Sequence, residues 1–110
     1  MKNILLLLAT ISLANAQVTG LSGWNLFVDP GHSQTENMGV NGYSEAEEVL
    51  QTALHLRQIL LSQTDIDTVW SSRYTDQDYV TLYERTDDAN ARGAAWYHSV
   101  HSDAGGATSN

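Results

Sequence analysis

The sequence predicts an α/β domain, a three-layer α/β/α arrangement around a mainly parallel sheet. Three observations lead there. Short apolar runs alternate with longer amphipathic ones in the order strand, helix, strand, helix, strand. Turn residues separate the runs, with a single proline in the chain and no linker, repeat or low-complexity tract. A length of 110 residues leaves room for one domain.

Residues 1–16 are expected to lie outside that domain. Lys2 is a short positive start, residues 4–13 are mostly apolar, and Ala14-Asn15-Ala16 has the small-x-small form of a signal-peptidase site. The apolar stretch is shorter than the roughly 20 residues that span a bilayer, so the expectation is secretion, periplasmic or extracellular, with no membrane span. Residues 24–29 (WNLFVD) read as a strand buried on both faces, stopped by Pro30-Gly31. A loop follows over 32–43. Ser44 with Glu47 three residues on reads as a capping box, and Glu45, Glu47 and Glu48 sit in the first turn, where the helix dipole favours anions. Val49, Ala53, Leu56 and Leu60 recur at helical spacing, joined by Leu50, Leu54 and Leu61, giving a helix with an apolar face for a sheet. Residues 62–65 end it. Residues 66–71 (IDTVWS) alternate with period two and form a second strand. Residues 80–92 suit a second helix with Leu82, Ala89 and Tyr83 inward, and 94–101 (AAWYHSVH) a third strand.

Charge and composition exclude several functions. The chain carries a formal net charge of −8, and without Lys2 its four arginines face thirteen carboxylates. A nucleic-acid surface needs a basic stripe, and an anionic membrane surface attracts basic segments; neither is expected here. The absence of cysteine excludes a disulfide framework, thiolate zinc ligation and a cysteine nucleophile. A metal would have to be held by histidines and carboxylates.

In parallel sheets the ligand site lies beyond the carboxyl ends of the strands, where the strand order switches. His32 follows the first strand and His101 ends the third, and a strand order of 2-1-3 would let them meet. Glu45 starts the helix that points back at the same rim. Two imidazoles and one carboxylate are the ligand set of many catalytic zinc sites, with the fourth position left to water. The set leaves the centre net positive, which suits activation of water and polarisation of a carbonyl. Other readings stand beside this one. A histidine after a strand is commonly a polar rim residue, Glu45 has a sufficient reason in the helix dipole, Glu47 has one in the cap, and Glu48 is an alternative ligand.

The segments VDPGH (28–32), GYSEAE (42–47), SSR (71–73), LYERTDDAN (82–90) and HSVHSDA (98–104) resemble, in order, the blocks of the zinc-dependent N-acetylmuramoyl-L-alanine amidases. The resemblance implies a phosphorylase/hydrolase-like α/β fold, peptidoglycan as substrate and Zn²⁺ as cofactor. It maps the metal ligands to His32, Glu45 and His101. Gly42-Tyr43-Ser44-Glu45 stands in the family's Gly-Leu-x-Glu position, which favours Glu45 over its acidic neighbours. Arg73 and Arg85 take the family's two arginine positions and are expected to pair with nearby carboxylates. Domains of this family run on further and carry a late glutamate as general base. The resemblance therefore implies that residues 17–110 are the N-terminal part of such a catalytic domain, truncated at its C-terminal side, with the base beyond Asn110.

The remaining polar and aromatic residues have plainer readings. His98 lies an odd step from His101, so the two point to opposite faces of a strand, and His98 is expected to pack in the core or on a helix. His55, far along the first helix, is expected at the surface. Asp29 is either a strand-end aspartate or a partner to the second nitrogen of a ligand histidine. Asp103, close to His101 in sequence, is weighed as a substitute base but ranks behind the late glutamate of the family, and Trp70 and Trp96 fit strand packing better than sugar stacking. The leading function is zinc-dependent hydrolysis of the amide between N-acetylmuramoyl and L-alanine. One alternative is a catalytically weak zinc- or cell-wall-binding remnant. Another is a carboxypeptidase-like zinc hydrolase, against which the missing His-x-x-Glu pair counts, because the first glutamate after His32 is Glu36.

Overall fold

The computed structural model describes residues 17–34 and 36–102. The leader expected at 1–16 and Asp103 lie outside the described residues. The elements follow the predicted order: β1 (Asn25–Pro30), α1 (Glu45–Gln63), β2 (Thr68–Ser71), α2 (Leu82–Ala91) and β3 (Trp96–Val100), with a short 3₁₀ turn at Val40–Gly42 before α1. The three strands pair in parallel in the order β2-β1-β3. The register sets Leu26 between Val69 and Trp96, and Val28 between Ser71 and His98. Among the described residues no helix is long and apolar enough to cross a membrane.

Side chains alternate across a strand, so β1 offers Leu26 and Val28 to one layer and Phe27 and Asp29 to the other. On the first side Val28, Ala53 and Val69 form the buried core, with Leu26, Leu56, Leu60, Ile66 and Val100 packed against it. This is the expected apolar face of α1, except that Leu61 is exposed, one residue past the stripe that faces the sheet. Ser44 caps α1 by accepting the Glu47 amide. The reciprocal capping box belongs to α2, where Thr81 accepts from the Glu84 amide and the Glu84 carboxylate accepts from the Thr81 amide.

On the other side Phe27 stacks on Tyr97 with centroids 5.7 Å apart, and Arg85 of α2 reaches Asp29. The inward residues of α2 are thus Arg85 and Ala89. Leu82 and Tyr83, expected inward, are 81% and 82% exposed. They open the helix at its N-terminal turn, where it overhangs the carboxyl ends of the strands, and the sheet offers them nothing to pack on. Edge strand β3 departs from expectation in the same way. His98 is exposed rather than packed, and Trp96 is 65% exposed. Helix α1 lies over β1 and β2 and leaves the start of β3 uncovered. Trp70, on the opposite edge, is partly buried, with the Arg92 guanidinium 5.7 Å from its ring centroid.

Candidate metal centre

The site is built on the turn that leaves β1. The β1–β3 ladder continues one step beyond the strands, where the Gly31 amide donates to the Val100 carbonyl at 2.9 Å. That step carries His101 directly over Gly31. A Cβ at Gly31 would overlap the His101 ring, so only glycine lets the imidazole lie there. The next residue, His32, has a left-handed backbone (φ 58°), as do Gln34, Asn37 and Asn41 in the loop that follows. Such conformations cost about 1–3 kcal/mol each in a non-glycine residue and persist only where surroundings enforce them.

At His32 two buried arginines do the enforcing. Arg85 donates to the carbonyls of Pro30 and His32, both at 2.7 Å, and to Ser33 Oγ at 3.2 Å. Arg73 donates to the carbonyls of Pro30 at 3.2 Å, Gly31 at 2.9 Å and Ala46. The pairing with carboxylates expected for both is found: Arg85 meets Asp29 at 2.6 Å, and Arg73 meets Asp76 more loosely. For Arg73 the near carboxylate, Asp76, stands 3.7 Å away, and the backbone carbonyls are the closer partners. Burial raises the Asp29 pKa, yet hydrogen bonds from Ser72, Tyr97 and Arg85 outweigh it and hold the carboxyl below its usual range. Asp29 therefore anchors α2 and Tyr97, and among the described residues it bonds to no histidine. Burial, then the bond to Asp29, pushes the Tyr97 hydroxyl far up, so it stays a donor at neutral pH.

His32, Glu45 and His101 converge at this turn. One donor atom from each lies within 4.8 Å of the others. Glu45 Oε2 is 3.3 Å from His32 Nε2, and Glu45 Oε1 is 3.4 Å from His101 Nδ1. The imidazoles meet edge to face, with centroids 4.9 Å apart. Glu45 is 5% exposed, whereas Glu47 and Glu48 face solvent away from the cluster. A hydrogen bond from the Asn37 amide is the largest influence on Glu45 and lowers its pKa. Burial opposes it, and the Ser102 backbone, His32 and His101 lower it further, so the carboxylate is charged below its usual range. His55 is exposed on α1, apart from these residues. The cluster opens into a cleft of about 650 Å³ between α2 and the end of β3, lined by His32, His101, Asn37, Tyr79, Arg85 and Tyr97 among others.

An anionic carboxylate facing two imidazoles, beside an open cleft at the carboxyl end of a parallel sheet, is a donor set that a divalent cation fits. Comparison with known proteins agrees with the fold. Residues 26–110 match the family described as N-acetylmuramoyl-L-alanine amidase. The chain belongs to that family. It is 43% identical over 84 residues to the N-acetylmuramoyl-L-alanine amidase CwlM of Bacillus licheniformis, which covers 76% of this chain and 33% of that one. It is 40% identical over 84 residues to the sporulation-specific N-acetylmuramoyl-L-alanine amidase of Bacillus subtilis, covering 76% and 32%. Among solved structures, an amidase of this kind from Clostridium difficile superposes with a TM-score of 0.66 at 31% identity, over 88% of this chain and 48% of that one. The catalytic domain of CwlV from Bacillus (Paenibacillus) polymyxa gives 0.65 at 23% identity, over 78% and 49%, a likeness of fold. The chain thus spans about a third of the length of the curated relatives it matches.

Sequence reasoning missed Asn37 and the Thr81–Glu84 cap. The cap had a legible signal in its Thr-x-x-Glu spacing. Asn37 had none, because its contact with Glu45 depends on the path of an irregular loop.

Proposed function

We propose that this chain supplies the metal centre of a zinc-dependent amidase that hydrolyses the amide between N-acetylmuramoyl and L-alanine in peptidoglycan. The observation that carries the reading is the convergence of His32, Glu45 and His101, with both histidines lining an open cleft, in a chain of the amidase family. His32, Glu45 and His101 would hold the ion. Two nitrogen donors and one oxygen donor, with no thiolate, suit zinc. The ion would supply a Lewis acid for the amide carbonyl and make water acidic enough to be deprotonated near neutral pH.

The protein's own residues prepare that chemistry. Arg85 and Arg73 fix the turn from which His32 projects, Gly31 admits the His101 ring, and the cleft admits an extended substrate at the rim. Asp29 is engaged by Arg85 and Tyr97, and Tyr97 keeps its proton, so neither serves as a general base. None of the described residues is assigned that role. The proposed division of the chain is a leader at 1–16 removed after Ala16, followed by the N-terminal part of the catalytic domain, acting outside the cytoplasm. The exposure of β3 favours a second reading, a zinc- or cell-wall-binding remnant with little turnover.

Metal analysis of the purified chain tests the centre: one zinc per chain is expected, lost in His32→Ala and in His101→Ala. Stoichiometric zinc retained by both variants overturns the ligand assignment. Digestion of purified peptidoglycan tests the reaction. Release of stem peptides supports the amidase, new reducing ends without such release point to a glycosidase, and zinc binding without any release supports the remnant.

A further inference from the structure

Three features of the loop between β1 and α1 converge on one side chain. The Glu36 amide donates to the Ser33 carbonyl at 3.1 Å, and Met38 bridges to Ser44, so the backbone is pinned on both sides of Asn37. Asn37 itself has a φ of 56°, a left-handed conformation that asparagine adopts more readily than most residues. From there its Nδ2 donates to Glu45 Oε2 at 2.6 Å and lies 3.2 Å from His32 Nε2. An ionised carboxylate only accepts, so the nitrogen end of the amide must be the end that faces it.

The two oxygens of Glu45 are held separately. Oε2 accepts from Asn37 on the His32 side, and Oε1 accepts from the Ser102 amide at 3.0 Å on the His101 side. Together the two donors fix the rotation of the carboxylate so that each oxygen faces one imidazole. The Nε2 lone pair of His32 serves either the Asn37 amide or a metal ion, whereas Glu45 has lone pairs for both. We propose that Asn37 is a positioning residue: through Glu45 it orients the cluster and raises its affinity for a divalent cation. The proposal rests on the metal reading above. It assigns the sequence-silent loop a part in ion binding, and it distinguishes Asn37 from Asn41, a left-handed asparagine of the same loop (φ 59°) whose side chain bonds none of the three cluster residues.

Glycine keeps the left-handed backbone and removes only the amide, so Asn37→Gly and Asn41→Gly in the full chain separate the two effects. Zinc affinity is measured by competition with a chromogenic chelator, and the coordination environment by the visible absorption of the Co²⁺-loaded chain. Far-UV circular dichroism checks that each variant is folded. Asn37→Gly is expected to bind zinc about 10–100-fold more weakly, the range seen when a hydrogen-bond partner of a metal ligand is lost, with altered Co²⁺ bands. Asn41→Gly is expected to match the parent in both. Equal affinity and identical Co²⁺ bands in Asn37→Gly and the parent overturn the positioning role while leaving the metal reading intact, as does an equal loss in Asn41→Gly. No zinc binding by the parent chain overturns the metal reading itself, and this proposal with it.

Discussion

Val28 and Asp29 are consecutive residues of one strand, and they hold the molecule together by different physics. Val28 faces α1 and joins Ala53 and Val69 in a core that needs only apolar surface and close packing. Asp29 faces α2 and joins Arg85, Ser72 and Tyr97 in a network of directed, charge-assisted bonds. The apolar face holds the sheet to its helix. The polar face holds the turn, because the same guanidinium that pairs with Asp29 also grips the carbonyls of Pro30 and His32. Position is the contribution of the second layer, and position is what a metal cluster requires.

Removing one member of the polar layer is therefore expected to do the most damage. Arg85→Ala leaves Asp29 as an unpaired buried charge, at a cost of about 3–5 kcal/mol in urea unfolding. It also releases the His32 turn, so zinc binding should fall with stability. A loss under about 1 kcal/mol would show that water takes over the role of Arg85. Val28→Ala removes two methyl groups from the apolar layer and should cost about 2–3 kcal/mol, with zinc affinity of the folded fraction unchanged.

Acid separates the layers most finely. The folded pKa of Asp29 lies below its usual 3.8, so its contribution is fully present above that value and is lost as the pH falls through the lower folded one. Stability of the parent chain should thus decline below about pH 4. Val28→Ala should follow a parallel curve, offset by a constant amount, while the penalty of Arg85→Ala should shrink as Asp29 is protonated. Unfolding midpoints across that range check this, and parallel curves for all three proteins would sink the distinction.

The two layers also differ in how well the sequence announces them. Val49, Ala53, Leu56 and Leu60 declare the apolar face of α1 by spacing alone, and the observed strand order is the one that lets the histidines at two strand ends meet. The far face hides its logic. Arg85 and Ala89 make up the inner side of α2; the hydrophobic count found Ala89 but set Leu82 and Tyr83 beside it, because a charged residue at the centre of a buried face is invisible to such a count. His98 and Trp96 look like packing residues by type, but a strand is covered only where a helix crosses it, and that depends on helix placement. His32 and His101 were legible because each stands at a strand end, whereas Glu45 was singled out among its acidic neighbours only by the family resemblance. Asn37 was not, since left-handed backbone in an irregular loop leaves no period to read.

The contact of His101 on Gly31 has a consequence for biogenesis. It forms only where the β1–β3 ladder runs to its last hydrogen bond, the Gly31 amide to the Val100 carbonyl. Two of the three donors, His32 and Glu45, precede β3 in the chain, whereas the third follows it, and pairing distant strands is the slow part of building a parallel sheet. The donor set is therefore completed only when β3 pairs with β1, and a chain in which that pairing has not formed carries it incomplete.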